Sequence, residues 1–130
     1  MSTRRVVCLT AAALALLGCR DSEREREILS RTVLPPAPGE HREGEALFAA
    51  NCASCHGESG KGSDRGPPLL HIVYEPSHHS DASFTLAVRN GVAAHHWRFG
   101  NMPPQPQVDS AALRKIVGYV RWAQREVGID

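Results

Sequence analysis

Asn51-Cys52-Ala53-Ser54-Cys55-His56-Gly57 is the stretch that decides what this chain folds around. Two thiols three positions apart, with an imidazole directly after the second, form C-x-x-C-H, the signature of covalent haem attachment. The spacing has a chemical reason. Thiols at that separation can add to the two vinyl groups on one porphyrin edge while the adjacent imidazole is held against the iron. Three other uses compete for a close cysteine pair. A redox-active dithiol needs a strand–helix–strand setting that the sequence lacks, and it leaves the histidine without a task. A zinc site needs two more ligands at finger-like spacing, and there is no second cysteine pair. A disulfide between Cys52 and Cys55 suits an oxidising compartment but closes too small a loop to add much stability.

Working outward, Leu47, Phe48 and Ala50 mark a helix over residues 43–52 that runs straight into the motif. Asp81 or Ser83 can cap a second helix holding Phe84, Ala87 and Val88, and Asn90-Gly91 offers it a left-handed stop. Asp109 or Ser110 can cap a third, where Leu113, Ile116, Val117, Val120 and Ala123 recur at the spacing of a buried helix face. No stretch alternates as a strand does, so the expected fold class is all-α, three main helices and loops around one covalent haem c. With only 5% aromatic residues, a core of this size is marginal by itself, and a buried prosthetic group would complete it.

A haem iron held by His56 has a sixth position that takes a ligand or stays open. Asn101-Met102-Pro103-Pro104 lies 46 residues after His56, in a loop rich in Gly and Pro where a methionine has no periodic core position. The prolines pre-order that loop and lower the cost of holding the thioether at the iron. Core filling is the ordinary alternative for a lone methionine.

The middle of the chain is unusually rich in histidine: His78-His79 and His95-His96, with His71, Glu75 and Asp81 nearby. Paired imidazoles suit a second metal site for zinc or copper, or one of them could replace Met102 at the iron. The plainer readings are solvated loop histidines and groups bonded to the haem propionates. Adjacent residues rarely both ligate one ion, and sequence alone does not show that the two pairs converge. Trp97 and Arg98, which follow, are candidates for packing on the haem edge and pairing with a propionate.

The N-terminus reads as a targeting segment. Arg4 and Arg5 precede an apolar run over residues 6–17 that ends at Gly18-Cys19. Twelve residues make a helix of roughly 18 Å, well short of the ~30 Å hydrocarbon core, so a lasting transmembrane span is not expected. Leu16-Leu17-Gly18-Cys19 resembles the lipobox of bacterial lipoproteins, in which the cysteine is acylated and becomes the new N-terminus; the alternative is an ordinary cleaved signal with a coincidental cysteine. Acyl chains on Cys19 would tether the protein to the periplasmic side of a bacterial membrane. Residues 19–41, with dense mixed charge and Pro35, Pro36 and Pro38, have the composition of a flexible tether, and a domain over 42–130 follows. Fifteen basic against fourteen acidic residues give +1, and loss of Arg4 and Arg5 with residues 1–18 leaves −1, so no nucleic-acid partner is indicated.

Over residues 39–128 the chain resembles the class I c-type cytochromes. The likeness rests on Gly44-Glu45-Ala46-Leu47-Phe48 before the cysteine motif, Gly66-Pro67-Pro68-Leu69 after it, Met102-Pro103-Pro104, and a last helix bearing Tyr119 and Trp122. The resemblance implies a small helical fold in which Gly44 and Phe48 of the first helix meet Tyr119 of the last. It also implies that the Pro67 carbonyl accepts the His56 N–H, a bond that orients the ring and raises its basicity, and that Leu69 lies in the haem pocket. The activity implied is electron transfer between redox proteins such as a membrane dehydrogenase and a terminal oxidase or reductase, not catalysis by the chain itself. Alternatives are a haem-based sensor or gas-binding module with a labile Met102, a fixed haem subunit of a periplasmic oxidoreductase complex, and a metal chaperone built on the histidine pairs.

Overall fold

A computed structural model describes Arg24 and residues 27–130; the proposed signal and Cys19 lie outside the described residues. Two compact units divide at residue 32. In the first, residues 27–31 are helical, with Arg31 donating to the Glu27 carboxylate at 2.7 Å. The second unit contains four helices: α1 (Arg42–Asn51), α2 (Ala53–His56), α3 (Asp81–Asn90) and α4 (Ser110–Glu126). Two 3-10 turns, Glu58–Gly60 and Ile72–Tyr74, punctuate the long segment between α2 and α3. Among the described residues there is no strand, only an isolated antiparallel bridge between Val92 and Met102. The described fold is all-α, as expected. No described helix is long and apolar enough to cross a membrane.

The pairing of α1 with α4 is the frame of the domain, and residue size determines how closely they approach. A side chain at Gly44 would run into the Lys115 carbonyl and the Tyr119 Cβ, so only glycine lets the two backbones meet there. One turn on, Phe48 is 1% exposed and its ring lies 5.7 Å from that of Tyr119, itself 2% exposed. Tyr119 packs in turn on Trp122, whose other neighbour is the His41 ring. At one edge of the contact Lys115 pairs with Glu43.

The capping residues differ in part from expectation. Asp109 caps α4 as anticipated, its carboxylate accepting from the Ala111 and Ala112 N–H groups at 2.8 Å each. At α3 neither Asp81 nor Ser83 caps; Ser80 occupies the cap position without a side-chain capping bond, and the Asp81 carboxylate instead accepts from Arg121 at 2.8 Å. The helix stops at Gly91, φ +74°. The helix expected over 43–52 breaks at Cys52, and the motif itself forms the separate turn α2.

Two buried polar residues on α4 organise the loops. Arg121 donates to the Tyr74 carbonyl at 2.7 Å and to the His79 carbonyl, and its guanidinium lies 4.8 Å from the Phe84 ring centre. Gln124, 1% exposed, donates to the carbonyls of Leu69 (2.8 Å) and Tyr74 (3.0 Å) and accepts from Arg121. Residues 69–81 are thereby fastened to the last helix by otherwise orphaned backbone carbonyls.

Candidate functional site

Cys52 ends α1, and α2 carries Ala53, Ser54, Cys55 and His56 in a single turn, so the two thiols and the imidazole are presented by one short, backbone-bonded segment. The turn closes at Gly57, whose φ of +75° and contact with the Gly62 backbone leave no room for a side chain. Both cysteines are half-buried and not bonded to one another. Burial, with the neighbouring Cys55 adding, pushes the Cys52 thiol up to about 11. A catalytic dithiol needs the opposite, a thiol lowered toward neutrality, so the electrostatics disfavour the thioredoxin-like use of the pair.

His56 faces inward. Its Nδ1 lies 2.9 Å from the Pro67 carbonyl oxygen, which accepts a hydrogen bond from Nδ1–H and leaves Nε2 as the free, lone-pair nitrogen. Burial lowers the imidazole below its ordinary 6.5, partly offset by that same carbonyl, so the ring is a neutral donor at physiological pH. Pro67 is held in place by its neighbours: Pro68 is fully buried, and Leu69 donates its N–H to the Gly60 carbonyl at 2.7 Å. Leu69 itself, 8% exposed, belongs to the packed interior.

Met102 sits at the far end of the bridge with Val92, its N–H donating to the Val92 carbonyl at 3.0 Å and its carbonyl accepting at 2.9 Å. Its half-buried side chain packs against Val88, Leu113 and Val117. Sequence reasoning gave this methionine no core position; the structure supplies one, because the bridge brings its loop back over α3 and α4. Trp97 is half-buried, and its indole Nε1 is closed off from solvent with no hydrogen-bond acceptor. Burial raises the Tyr74 phenol above its ordinary value, outweighing the opposing influence of the Trp97 indole N–H. Arg98 is exposed.

The histidines of both pairs converge. The rings of His78 and His79 are 4.7 Å apart, His96 lies 5.3 Å from His78 and 5.1 Å from His79, and His95 lies 4.3 Å from His96. His71 instead packs edge-on to Trp97 at 4.8 Å. Desolvation, reinforced by His95, His79, His78 and His71, holds His96 below its ordinary value. The two nearby carboxylates have other partners: Glu75 accepts from the Ser77 hydroxyl at 2.9 Å, and Asp81 from Arg121.

The described residues fit a covalently held haem. Two free thiols, a neutral imidazole with its Nε2 uncommitted, and a desolvated indole N–H lacking an acceptor are the complementary groups for vinyl carbons, iron and a propionate.

Comparison with known proteins agrees with this chemistry. Residues 41–124 match the cytochrome c family. The chain is similar, at 31% identity over 80 residues, to the cbb3-type cytochrome c oxidase subunit CcoP of Rhodobacter capsulatus. That match covers 59% of this chain and 27% of the relative, so the chain corresponds to about a quarter of that subunit. No solved structure matches it. The match to the family runs from the start of α1 through nearly all of α4 and takes in the cysteine pair and His56; the protein belongs to the cytochrome c family.

Proposed function

We propose that the chain is a monohaem carrier of single electrons, with haem joined to Cys52 and Cys55 and its iron held between His56 and Met102. Bound haem supplies a reversible one-electron change at iron. The protein's own residues do the rest. His56, oriented by the Pro67 carbonyl, is the basic, fixed donor, and Met102 is the soft donor that favours the ferrous form and raises the potential. Trp97 Nε1 and Arg98 are suited to a propionate. With His56 and Met102 both holding it, the iron would have no open position, and the domain would exchange electrons without binding a substrate. The observation that carries this reading is the His56 Nδ1 to Pro67 carbonyl contact of 2.9 Å directly behind the cysteine pair. A pyridine haemochrome spectrum combined with intact mass tests it: one haem c per chain, with neither cysteine open to alkylation, is expected. Colourless protein with two reactive thiols would overturn it.

In the same proposal residues 1–18 direct export, Cys19 is acylated, and residues 19–41 tether the domain over 42–130 to the periplasmic side of a membrane. Partners there are a membrane dehydrogenase and a terminal oxidase or reductase. The likeness to an oxidase subunit favours a second arrangement, a haem held as one relay in an oxidase complex. Purification in mild detergent separates the two: a shuttle elutes alone, a relay with its complex.

A further inference from the structure

The convergence of two histidine pairs far apart in sequence is not used by the haem chemistry. His78 and His79 lie on the turn that enters α3, and His95 and His96 at the tip of the loop between Val92 and Met102. One candidate nitrogen from each of His78, His79 and His96 falls within 4.8 Å of the other two. A tetrahedral ion with metal–nitrogen bonds of ~2.0–2.1 Å needs its ligand nitrogens roughly 3.4 Å apart, a closure that rotation of the exposed His78 and His96 rings can provide. We propose that His78, His79 and His96, with His95 beside them, form a surface site for a late first-row divalent cation, zinc(II) or copper(II).

Three features make this more than a crowded surface. First, the tautomers are set. His79 Nδ1 lies 2.6 Å from the Val73 carbonyl and His95 Nδ1 lies 2.9 Å from the Ala93 carbonyl, so each ring directs Nε2 outward, the arrangement of metal-ligating histidines backed by a carbonyl. Second, the scaffold is anchored on both sides. Arg121 donates to the His79 carbonyl from buried α4, and the His95–His96 loop is pinned at its neck by the Val92–Met102 pair and by Ala94 N–H to Asn101 Oδ1 at 3.0 Å. Third, the set is purely imidazole, because Glu75 and Asp81 are bonded elsewhere; imidazole sets select copper, zinc and nickel over calcium or magnesium. The adjacency of His78 and His79, which argues against shared ligation in an extended chain, is offset here by the turn: both residues donate their N–H to the Glu75 carbonyl, at 3.1 and 2.8 Å, and their rings lie side by side.

The test uses untagged, haem-loaded full chain, since a polyhistidine tag would bind the same ions. Equilibrium dialysis against zinc should give one zinc per chain in addition to iron, and copper(II) should bind more tightly, with EPR hyperfine structure from about three nitrogens. His96→Gln, an exposed change that does not threaten folding, should weaken zinc at least tenfold, and His78→Gln/His96→Gln should abolish stoichiometric binding. His71→Gln should leave zinc binding unchanged. Zinc uptake that is absent, or the same in the double variant, overturns the site. A shift of the haem potential in His96→Gln without any zinc uptake would assign these rings to the haem instead, and equally overturns it.

Discussion

At the scale of single residues, His56 and Met102 hold unequal positions. His56 is fixed by a bond to the Pro67 carbonyl, whereas Met102 is positioned by main-chain bonding to Val92 and by packing on Val88, Leu113 and Val117. Removing the thioether should therefore leave haem attached while opening the iron. Met102→Ala is expected to bind carbon monoxide when reduced and to have a lower potential than the parent, which spectroscopy under carbon monoxide and a redox titration would read; unchanged ligand binding would remove Met102 from the iron. The attachment motif is legible in sequence because all its chemistry lies within five consecutive residues. The histidine cluster is not, because its members come from two loops whose approach depends on Arg121 and on the Val92–Met102 pair. The orphaned indole of Trp97 was visible only as an aromatic beside a cationic residue.

At the scale of elements, α4 was readable because Leu113, Ile116, Val117, Val120 and Ala123 keep a helical period, and all but Ala123 are between 2 and 6% exposed, Ala123 being fully buried. Arg121 and Gln124, one and four positions past Val120, are polar, and nothing in the local sequence marks them as buried. They are buried because their partners, the Asp81 carboxylate and the carbonyls of Leu69, Tyr74 and His79, lie 40 to 55 residues away, which no local pattern discloses. The cap of α4 carries a pH signature. N–H bonds from Ala112 and Ala111 hold the Asp109 carboxyl below its ordinary 3.8, so its stabilisation is complete above about pH 3.8 and fades as pH falls through the lowered value. Asp109→Ala should accordingly melt below the parent at pH 7, with the gap closing in acid, while Asp109→Asn keeps most of the cap at both pH values; thermal melts across pH decide. The α1–α4 contact is stricter. Gly44→Val drives a branched side chain into the Lys115 carbonyl and should cost about 3 kcal/mol, visible as a fall in denaturation midpoint, whereas Gly39→Val, where nothing lies nearby, should be close to neutral.

At the scale of the whole molecule, the proposal divides the chain into three parts: an export signal, a charged and proline-rich stretch, and the haem domain. If Cys19 is acylated, Cys19→Ala should move the protein from the membrane fraction to the soluble one, with its absorption spectrum unchanged. Persistent sedimentation would argue against the lipid. The near-balance of charge offers no strong field for steering, so the rate of reaction with a redox partner should fall only weakly with added salt unless charge is segregated on one face.

The short ladder contact between Val92 and Met102 makes the histidine loop and the thioether-bearing segment two ends of one clasp. A cation gripped at the tip would stiffen its base, so zinc-loaded protein should exchange Met102 for an incoming ligand such as cyanide more slowly than zinc-free protein. In that way, occupancy of a surface by an ordinary trace metal would govern how firmly an interior iron keeps its sulfur.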